Sequence, residues 1–250
     1  MNDFYDQLAP LYHLIFEDWE ASIVRQAEQL TQIIKGEWST GIERVLDVSC
    51  GIGTQAIGLA RAGFRVTASD ISAGAIARAV REAKARKLDI AFSVCDMCEA
   101  HQHDDSDFDL VICCDNSIPH LLTDDDILTA LRQMHDCLRP GGGCLITMRN
   151  YDQETRGIGL LKPHGVRDLG DTRYVIFQVW DFDKDQYDLT IYFVEEDRTS
   201  KSVKTHALRT RYYAISPTRV VALMKQAGFA EVKRWDDVFY QPVLVGTKRR

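Results

Sequence analysis

The chain has 250 residues, of which 37 are acidic and 30 are basic, so its formal net charge at pH 7 is −7. A net acidic chain argues against a protein whose affinity rests on phosphate contacts, so we expect no nucleic-acid partner. No apolar run approaches the roughly 20 residues that cross a bilayer, and the acidic start MNDFYDQLAP is unlike a secretory signal. With seven cysteines, an odd number, these features predict a reduced cytoplasmic protein without a membrane partner.

The cysteine spacing raises a zinc site as an alternative. Cys95 and Cys98 have C-x-x-C spacing, and Cys113 and Cys114 would supply a second pair of ligands. Structural zinc sites usually take both pairs from turns, whereas Cys113 and Cys114 close the strand-like run DLVICC. We therefore predict no metal site.

In chain order, the first stretch, from Asn2 to about Ile34, has apolar residues at helical spacing, and the segment KGEWSTG ends it. From Val45 to Asn150, strand-like and helical runs alternate, separated by short turns. This alternation is typical of a parallel sheet covered by helices on both faces. The last helical run of this region, residues 123–142, begins with a Thr/Asp cap and ends in Pro-Gly-Gly.

The pattern changes after Asn150, where β-rich runs follow each other without helices between them. These runs are residues 173–182, 188–197 and 204–214. A capped helical run and two further strand-like runs complete the chain, at residues 216–228, 231–237 and 242–250. The sequence thus predicts an α/β fold into which an antiparallel β-meander is inserted.

The strongest local signal is the segment VLDVSCGIGT, residues 45–54, where a strand turns into a helix. Gly51 and Gly53 lack a Cβ, so a ligand can approach the backbone, and helix N-terminal amides point outward there. Asp70 ends the next strand, at the separation expected for a carboxylate that accepts hydrogen bonds from ribose hydroxyls. Alone, this pattern also suits a dinucleotide site, because Gly51, Gly53 and Ala56 approximate G-x-G-x-x-G.

Three features separate these interpretations. Asp47 lies inside the turn motif, where a carboxylate would repel a pyrophosphate but would favour a cationic ligand. The third strand ends in Asp96 and Met97, an acceptor and a thioether suited to the edge and face of an adenine. The chain then closes with a helix and a strand pair rather than with a second mononucleotide-binding half.

The ordered set VLDVSCGIGT, Asp70, Asp96-Met97 and LRPGG resembles the motifs of class I S-adenosylmethionine-dependent methyltransferases. Ser49 stands where many members have glycine, and this small residue preserves the close approach. The resemblance covers roughly residues 40–150 and the C-terminal strands. It implies a Rossmann-like fold, with a doubly wound, mostly parallel seven-stranded sheet, and S-adenosyl-L-methionine as the cofactor.

The resemblance also implies cofactor contacts for the matching residues. They are Asp47, Ser49, Gly51 and Gly53 for the methionine portion, Asp70 for the ribose hydroxyls, Asp96 for the adenine amino group, Ile71 and Met97 for the ring faces, and Cys113 at the end of the fourth strand. Ile71 and Met97 remain open to a second interpretation, as core residues.

Two later segments indicate the acceptor. DNSIPHL and MRNYD follow the fourth and fifth strands, at carboxyl ends where open α/β sheets bind ligands. They resemble the N-S-x-x-H-L and R-N-Y-D segments of the glycine and sarcosine N-methyltransferases. By this resemblance, Arg149 binds the substrate carboxylate and Asn116 orients it, while Tyr5 and Tyr213 close the pocket around the amine.

The residues themselves support part of this assignment. A planar guanidinium is the best partner for a carboxylate, although Arg149 could instead pair with Asp152, and Asn116 could be a turn residue. His120 has three interpretations, as a general base, a cofactor contact or a packing residue. We favour packing or a backbone hydrogen bond, because methyl transfer to an amine needs a free lone pair but rarely a dedicated base.

In glycine N-methyltransferases an aromatic residue and an arginine from the N-terminal region cover the cofactor. Tyr12, Trp19 and Arg25 are the candidates here, although the arginine spacing matches poorly, and an amphipathic packing helix is the alternative. We accordingly divide the chain into an N-terminal helical lid (1–40), an α/β core (41–150 and 214–250) and an inserted substrate-covering region (151–213).

The sequence therefore predicts methyl transfer from S-adenosyl-L-methionine to the amino group of a small amino acid, with glycine and sarcosine favoured. The predicted partner is this small-molecule acceptor, and an oligomer is compatible with the sequence. Three alternatives stay open. They are a methyltransferase for another amine, a phenol or a carboxylate, an NAD-type oxidoreductase, and a non-catalytic cofactor-binding module.

Overall fold

The computed structural model describes residues 2–38, 41–102 and 107–250, so Met1 and residues 39–40 of the predicted lid lie outside it. The helices are α1 (Asn2–Leu8), α2 (Trp19–Glu37), α3 (Thr54–Arg61), α4 (Ala73–Ala85), α5 (Asp124–Cys137) and α6 (Pro217–Gln226). The strands are β1 (Arg44–Asp47), β2 (Arg65–Asp70), β3 (Ala91–Val94), β4 (Phe108–Cys113), β5 (Leu138–Thr147), β6 (Leu160–Leu169), β7 (Thr172–Asp183), β8 (Gln186–Asp197), β9 (Val203–Tyr213), β10 (Ala230–Trp235) and β11 (Val243–Thr247). None of the described helices has the length and apolar character needed to cross a membrane.

Seven strands form one sheet in the order β10-β11-β5-β4-β1-β2-β3. Neighbours from β5 to β3 pair in parallel, while β11 pairs antiparallel with β5 and β10. Every residue of β4 is buried, as expected for a central strand covered by helices on both faces. The predicted fold class, a doubly wound and mostly parallel seven-stranded sheet, is confirmed.

The strand order reverses beside β1. The chain runs outward from β1 through β2 to β3 and then returns to β4 on the other side of β1. At such a reversal a crevice opens outside the carboxyl ends of the two central strands, because the connections leave in opposite directions. The residues that end β1 and β4 are therefore the ones that a ligand meets first.

A second sheet has four antiparallel strands in the order β6-β7-β8-β9. Strands β7 to β9 are the β-rich runs that the sequence predicts. Strand β6 is absent from that prediction, because Pro163 and Gly165 interrupt its alternation and most of its residues are exposed, as is common for an edge strand. Trp180, Tyr187 and Ile191 from this sheet join the same apolar core as β4 and α5.

Two helical predictions are partly wrong, one in its interior and one at its C-terminal end. The N-terminal stretch is broken between α1 and α2, because Pro10 has no amide hydrogen and disfavours a helical conformation of Ala9. The run predicted as one helix over 123–142 ends at Cys137. Its LRPGG segment instead begins β5, where Leu138 pairs with Phe108 of β4.

Helix α2 packs against α3, and Gly58 sits at their contact. A Cβ on Gly58 would lie 2.8 Å from the Cβ of Ala27 and 2.9 Å from the carbonyl oxygen of Ile23. Both distances are shorter than a Cβ tolerates, so the contact requires glycine. Since α3 begins at the glycine turn, this contact also sets where that turn lies.

We expect Gly58→Ala to lower the free energy of unfolding by about 1–3 kcal/mol, because the added methyl group overpacks the contact between α2 and α3. Gly36→Ala in α2 is the matched control, since a Cβ there meets no atom within 4 Å and alanine favours a helix by about 0.5–1 kcal/mol. Urea unfolding of both variants measures the difference. Equal stabilities would show that the close approach at Gly58 is not required.

Candidate functional site

The glycine turn lies at the carboxyl end of β1, at the reversal of strand order. Gly51 has φ +53° and Gly53 has φ +96°, a region that residues with a Cβ rarely adopt. Gly53 is also the N-cap of α3, so the unpaired N–H groups of the first turn of α3 lie at the crevice. The turn therefore offers backbone donors and a close approach to the main chain.

Asp70, at the end of β2, is bonded to this turn. Its Oδ2 accepts a hydrogen bond from the N–H of Gly51 (2.8 Å), and its Oδ1 accepts one from the N–H of Ser72 (2.9 Å). Burial raises the pKa of the carboxyl, although the two N–H groups favour its charged form. Each carboxylate oxygen can accept more than one hydrogen bond, so Asp70 can also receive ligand hydroxyls.

Asp47, at the end of β1, is almost fully buried with an unused oxygen. Its Oδ1 accepts a hydrogen bond from the N–H of Ser49 (3.2 Å), whereas its Oδ2 has no partner among the described residues. Burial and the charge of Asp70 together raise the pKa of Asp47 to about 7, although the N–H of Ser49 acts in the opposite direction. Since buried polar atoms are normally bonded, this oxygen fits a ligand that brings a donor or a positive charge.

The residues predicted to face adenine lie at the neighbouring strand ends. Asp96 follows β3, and its Oδ1 accepts a hydrogen bond from the N–H of Cys98 (2.8 Å). Met97 begins a 3-10 turn and packs, half-buried, against the apolar core. Ile71 is half-buried after β2, and Cys113 is buried at the end of β4, where its Sγ accepts a hydrogen bond from Ser49 Oγ (3.3 Å). The adenine contacts stay predictions.

The N-terminal segment covers the glycine turn. A Cβ on Gly51 would lie 3.3 Å from Cε1 of Tyr12. Helix α1 is bonded to the start of α4, because Asp6 Oδ1 accepts hydrogen bonds from Ser72 Oγ (2.6 Å) and from the N–H of Gly74 (2.7 Å). Tyr12 is therefore the aromatic residue that the segment brings to the turn.

The other two predicted lid residues, Trp19 and Arg25, lie on α2. Trp19 Nε1 donates a hydrogen bond to Thr54 Oγ1 (2.9 Å), so Trp19 packs against the first turn of α3. Arg25 is exposed, and its Nη2 donates to Ser22 Oγ (3.1 Å) in the same helix. The structure therefore does not bring Arg25 to the glycine turn, in keeping with its poor spacing in the sequence.

A cleft of about 920 Å³ lies between the strand ends and the four-stranded sheet. Among the residues that line it are Tyr5, Tyr12, Asp115, Asn116, Arg149 and Tyr212. Tyr213 is not among the lining residues, because its side chain lies on the other face of β9 and its hydroxyl donates to Asp124 Oδ1 (3.1 Å). The strand alternation in the sequence marks Tyr212 and Tyr213 as facing opposite ways, but it leaves open which of them faces the cleft.

Asn116 joins the ends of β4 and β5. Its Oδ1 accepts a hydrogen bond from the N–H of Arg149 (3.0 Å), and its Nδ2 donates to the hydroxyl of Tyr151 (2.9 Å). Asn116 is buried and has φ +66°, a conformation that asparagine tolerates better than most residues. Among the described contacts, Asn116 therefore fixes the backbone of Arg149.

The guanidinium of Arg149 is packed and oriented by the four-stranded sheet. Its Cζ lies 4.5 Å from the ring centre of Trp180, its Nη1 donates to the hydroxyl of Tyr187 (3.4 Å), and its Nε lies 3.6 Å from Oε1 of Glu154. Burial lowers the pKa of Arg149, but the surrounding tyrosines and Glu154 outweigh it and the net shift is upward. Asp152, the alternative partner in the sequence analysis, lies by Arg234 instead (3.6 Å).

His120 and Tyr5 meet at the wall of the cleft. The hydroxyl of Tyr5 lies 2.6 Å from Nε2 of His120, and the ring of Tyr212 lies 4.0 Å from the ring of His120. Burial lowers the pKa of His120 to about 3, so the imidazole is neutral at pH 7. This arrangement agrees with the interpretation of His120 as a packed, hydrogen-bonded residue.

Comparison with known proteins shows which families this chain is similar to. Residues 45–142 match the family model of a methyltransferase domain. The chain is 32% identical over 140 residues to the glycine/sarcosine N-methyltransferase of Parasynechococcus marenigrum, which covers 56% of this chain and 49% of that protein. It is 37% identical over 123 residues to the glycine N-methyltransferase of Rattus norvegicus, covering 45% and 42% respectively. The chain thus spans about half the length of the curated relatives it matches.

Solved structures match over nearly the whole chain. Streptomyces venezuelae DesVI aligns with a TM-score of 0.80 and 17% identity, covering 98% of this chain and 97% of that one. The sugar N-methyltransferase KedS8 from a Streptoalloteichus species aligns with a TM-score of 0.77 and 20% identity, covering 94% and 89%. An S-adenosylmethionine-dependent methyltransferase from Clostridium acetobutylicum gives 0.77 and 16%, covering 98% and 99%. At these identities the likeness is one of fold.

The raised pKa of Asp47 predicts how stability depends on pH. Between the unfolded value of about 3.9 and the folded value of about 7, the folded chain keeps a proton that the unfolded chain has lost. Its contribution to the free energy of unfolding therefore falls as pH rises through this window. We expect Asp47→Asn to match the wild type near pH 4 and to be more stable at pH 8, by up to about 4 kcal/mol.

Urea unfolding of the ligand-free chain at both pH values measures this effect. Asp70 also has a pKa raised by burial, but it is present in both proteins, so the difference between them reports Asp47 together with its coupling to Asp70. A stability difference that does not change with pH would contradict the assignment of an uncompensated carboxylate to Asp47.

Proposed function

We infer that this chain, whose core belongs to the class I S-adenosylmethionine-dependent methyltransferases, transfers a methyl group from S-adenosyl-L-methionine to the amino group of a small amino acid. Glycine and sarcosine are the favoured acceptors. The observation that carries this proposal is the oriented guanidinium of Arg149 in the cleft beside the glycine turn. The partial matches to glycine and sarcosine N-methyltransferases point the same way.

The residues around the glycine turn fit the cofactor. When bound, S-adenosyl-L-methionine supplies an electrophilic methyl group on a sulfonium. Gly51 and Gly53 admit it close to the backbone, and the unpartnered Oδ2 of Asp47 accepts a donor from its methionine portion. Asp70 holds the ribose hydroxyls with its remaining lone pairs. Asp96 accepts a hydrogen bond from the adenine amino group.

Arg149 binds the acceptor through its carboxylate. A guanidinium carries five N–H donors in one plane, more than Tyr187, Glu154 and Tyr151 take up, so donors remain for a ligand. Trp180 supports the guanidinium face, so the fork has one orientation. Asn116 holds the backbone of Arg149 and thereby fixes the start of that side chain.

Positioning is the main source of catalysis in this proposal. The acceptor would attack as a neutral amine, after its ammonium proton has passed to solvent. The new N–C bond would replace the S–C bond of the sulfonium, S-adenosylhomocysteine would leave as a neutral thioether, and the positive charge would pass to the methylated amine. Holding two reactants in line can lower a barrier by about 7–11 kcal/mol. Tyr5 and Tyr12 line the cleft on the side of the N-terminal segment. The neutral His120 keeps Tyr5 in place through their hydrogen bond.

A larger amine is the second candidate acceptor. The cleft of about 920 Å³ is far larger than glycine requires. The sugar N-methyltransferase KedS8, which shares the fold over most of both chains, acts on a class of larger molecule. An amino sugar or a longer amino acid is therefore the competitor that the assay must include.

We expect the wild-type chain to form S-adenosylhomocysteine with glycine or sarcosine. Arg149→Gln should raise the KM for glycine by roughly 10- to 150-fold, because a charge-assisted hydrogen bond contributes about 1.5–3 kcal/mol. Binding of S-adenosylhomocysteine, measured by calorimetry, should not change. Arg173→Gln is the matched control, since Arg173 is exposed on β7 and pairs with Asp168 (2.9 Å) outside the cleft.

Two results would change the conclusion. Turnover of an amino sugar without turnover of glycine or sarcosine would favour the larger acceptor. If Arg149→Gln is as active on glycine as Arg173→Gln, then Arg149 does not bind the acceptor carboxylate.

A further inference from the structure

Asp115 holds a carboxylate on the wall of the cleft, in a fixed position. It lies two residues after the end of β4 and has φ +57°, next to φ +66° at Asn116. Two successive left-handed residues other than glycine are uncommon, and such backbone strain clusters at functional sites. The N–H of Asp115 donates to Thr147 Oγ1 (2.8 Å), which fastens this strained turn to β5.

The carboxylate of Asp115 has neutral partners only. Its Oδ1 accepts hydrogen bonds from the hydroxyl of Tyr240 (2.9 Å) and from Nε2 of Gln241 (3.3 Å), both in the loop before β11. Within the described ranges no lysine, arginine or histidine forms an ion pair with it. Burial raises the pKa of Asp115, whereas Tyr240, Arg149 and Gln241 lower it, so this acid is incompletely compensated.

Two further acceptors line the same cleft. Oε1 of Gln241 and Oδ1 of Asn150 are buried and have no hydrogen-bond partner among the described residues. Buried polar atoms are usually bonded, so unbonded acceptors in the wall of the cleft favour a ligand rich in donors. An amino group is such a ligand, because in its charged form it carries three donors and no acceptor.

Arg149 supplies the opposite charge. It lies close enough to Asp115 for its positive charge to stabilise the carboxylate, and both residues line the cleft. The cleft therefore presents one cation and one anion to the same ligand.

We propose that Asp115 binds the amino group of the acceptor, so that Asp115 and Arg149 together recognise a zwitterion. This proposal rests on the proposed function and deepens it, because it names the group that selects an amine. Asp115 accepts the N–H donors of the acceptor while Arg149 takes its carboxylate. A carboxylate ligand without an amino group still pairs with Arg149 but is repelled by Asp115, so the site disfavours simple carboxylic acids.

The test compares glycine with acetate, which lacks the amino group. Binding of both to the chain saturated with S-adenosylhomocysteine is measured by calorimetry, without need of turnover. We expect the wild type to bind glycine more tightly than acetate by roughly tenfold or more. Asp115→Asn should weaken the binding of glycine by a similar factor. It should leave the affinity for acetate unchanged or raise it, because the variant removes a negative charge. A merely structural defect would weaken both ligands.

Asparagine tolerates the φ of Asp115, so this variant keeps the turn. Asp107→Asn is the matched control, since Asp107 is exposed just before β4, has φ +70° and is not among the residues that line the cleft. It should leave both affinities unchanged.

Each outcome decides the proposal. It is overturned if the wild type binds glycine no more tightly than acetate, or if Asp115→Asn leaves the ratio of the two affinities unchanged. If the ratio shifts as expected but no S-adenosylhomocysteine forms with glycine or sarcosine, the assignment of Asp115 stands and the proposed methyl acceptor is wrong.

Discussion

The carboxylate of Asp70 accepts hydrogen bonds from the N–H groups of Gly51 and Ser72. These two bonds join the elements on which the site is built. The first fastens the end of β2 to the glycine turn after β1. The second reaches the N-cap of α4, where Ser72 Oγ also donates to Asp6 of α1. One buried carboxylate thus sets both the turn that receives a ligand and the segment that covers it.

The fold was accessible from the sequence wherever local pattern and tertiary structure agree. Strand β4 and the second half of β5 are near-continuous apolar runs, and their alternation with helical runs predicts the parallel sheet. The sequence does not predict strand β6, because an exposed edge strand needs no apolar face. Its pairing with β7 is decided by the neighbouring strand rather than by its own residues. The start of β5 was hidden because LRPGG carries the same residues that end a helix.

The site was accessible to the extent that its residues lie at strand ends. Asp47, Asp70 and Arg149 could be found because a polar side chain closing an apolar strand is conspicuous. The choice between Tyr212 and Tyr213 depends on which face of β9 meets the core, and register across two strands decides this: Tyr212 pairs with the buried Tyr187. Trp180 and Tyr187, which contact Arg149, lie on β7 and β8, far along the chain. No spacing in the sequence predicts these two contacts.

The acidic residues at the reversal of strand order oppose folding and favour binding of cations. Asp47 has an oxygen without a donor, Asp115 has only neutral partners, and burial raises the pKa of both carboxyls. Such groups destabilise the free chain, because desolvation of a charge is repaid only by a counter-charge or by donors. They follow β1 and β4, the two strands between which the crevice opens. In the proposed site the methyl donor brings a sulfonium, and the zwitterionic acceptor binds with its ammonium group facing Asp115. The net charge of −7 therefore has a local part whose compensation comes from the ligands rather than from the protein.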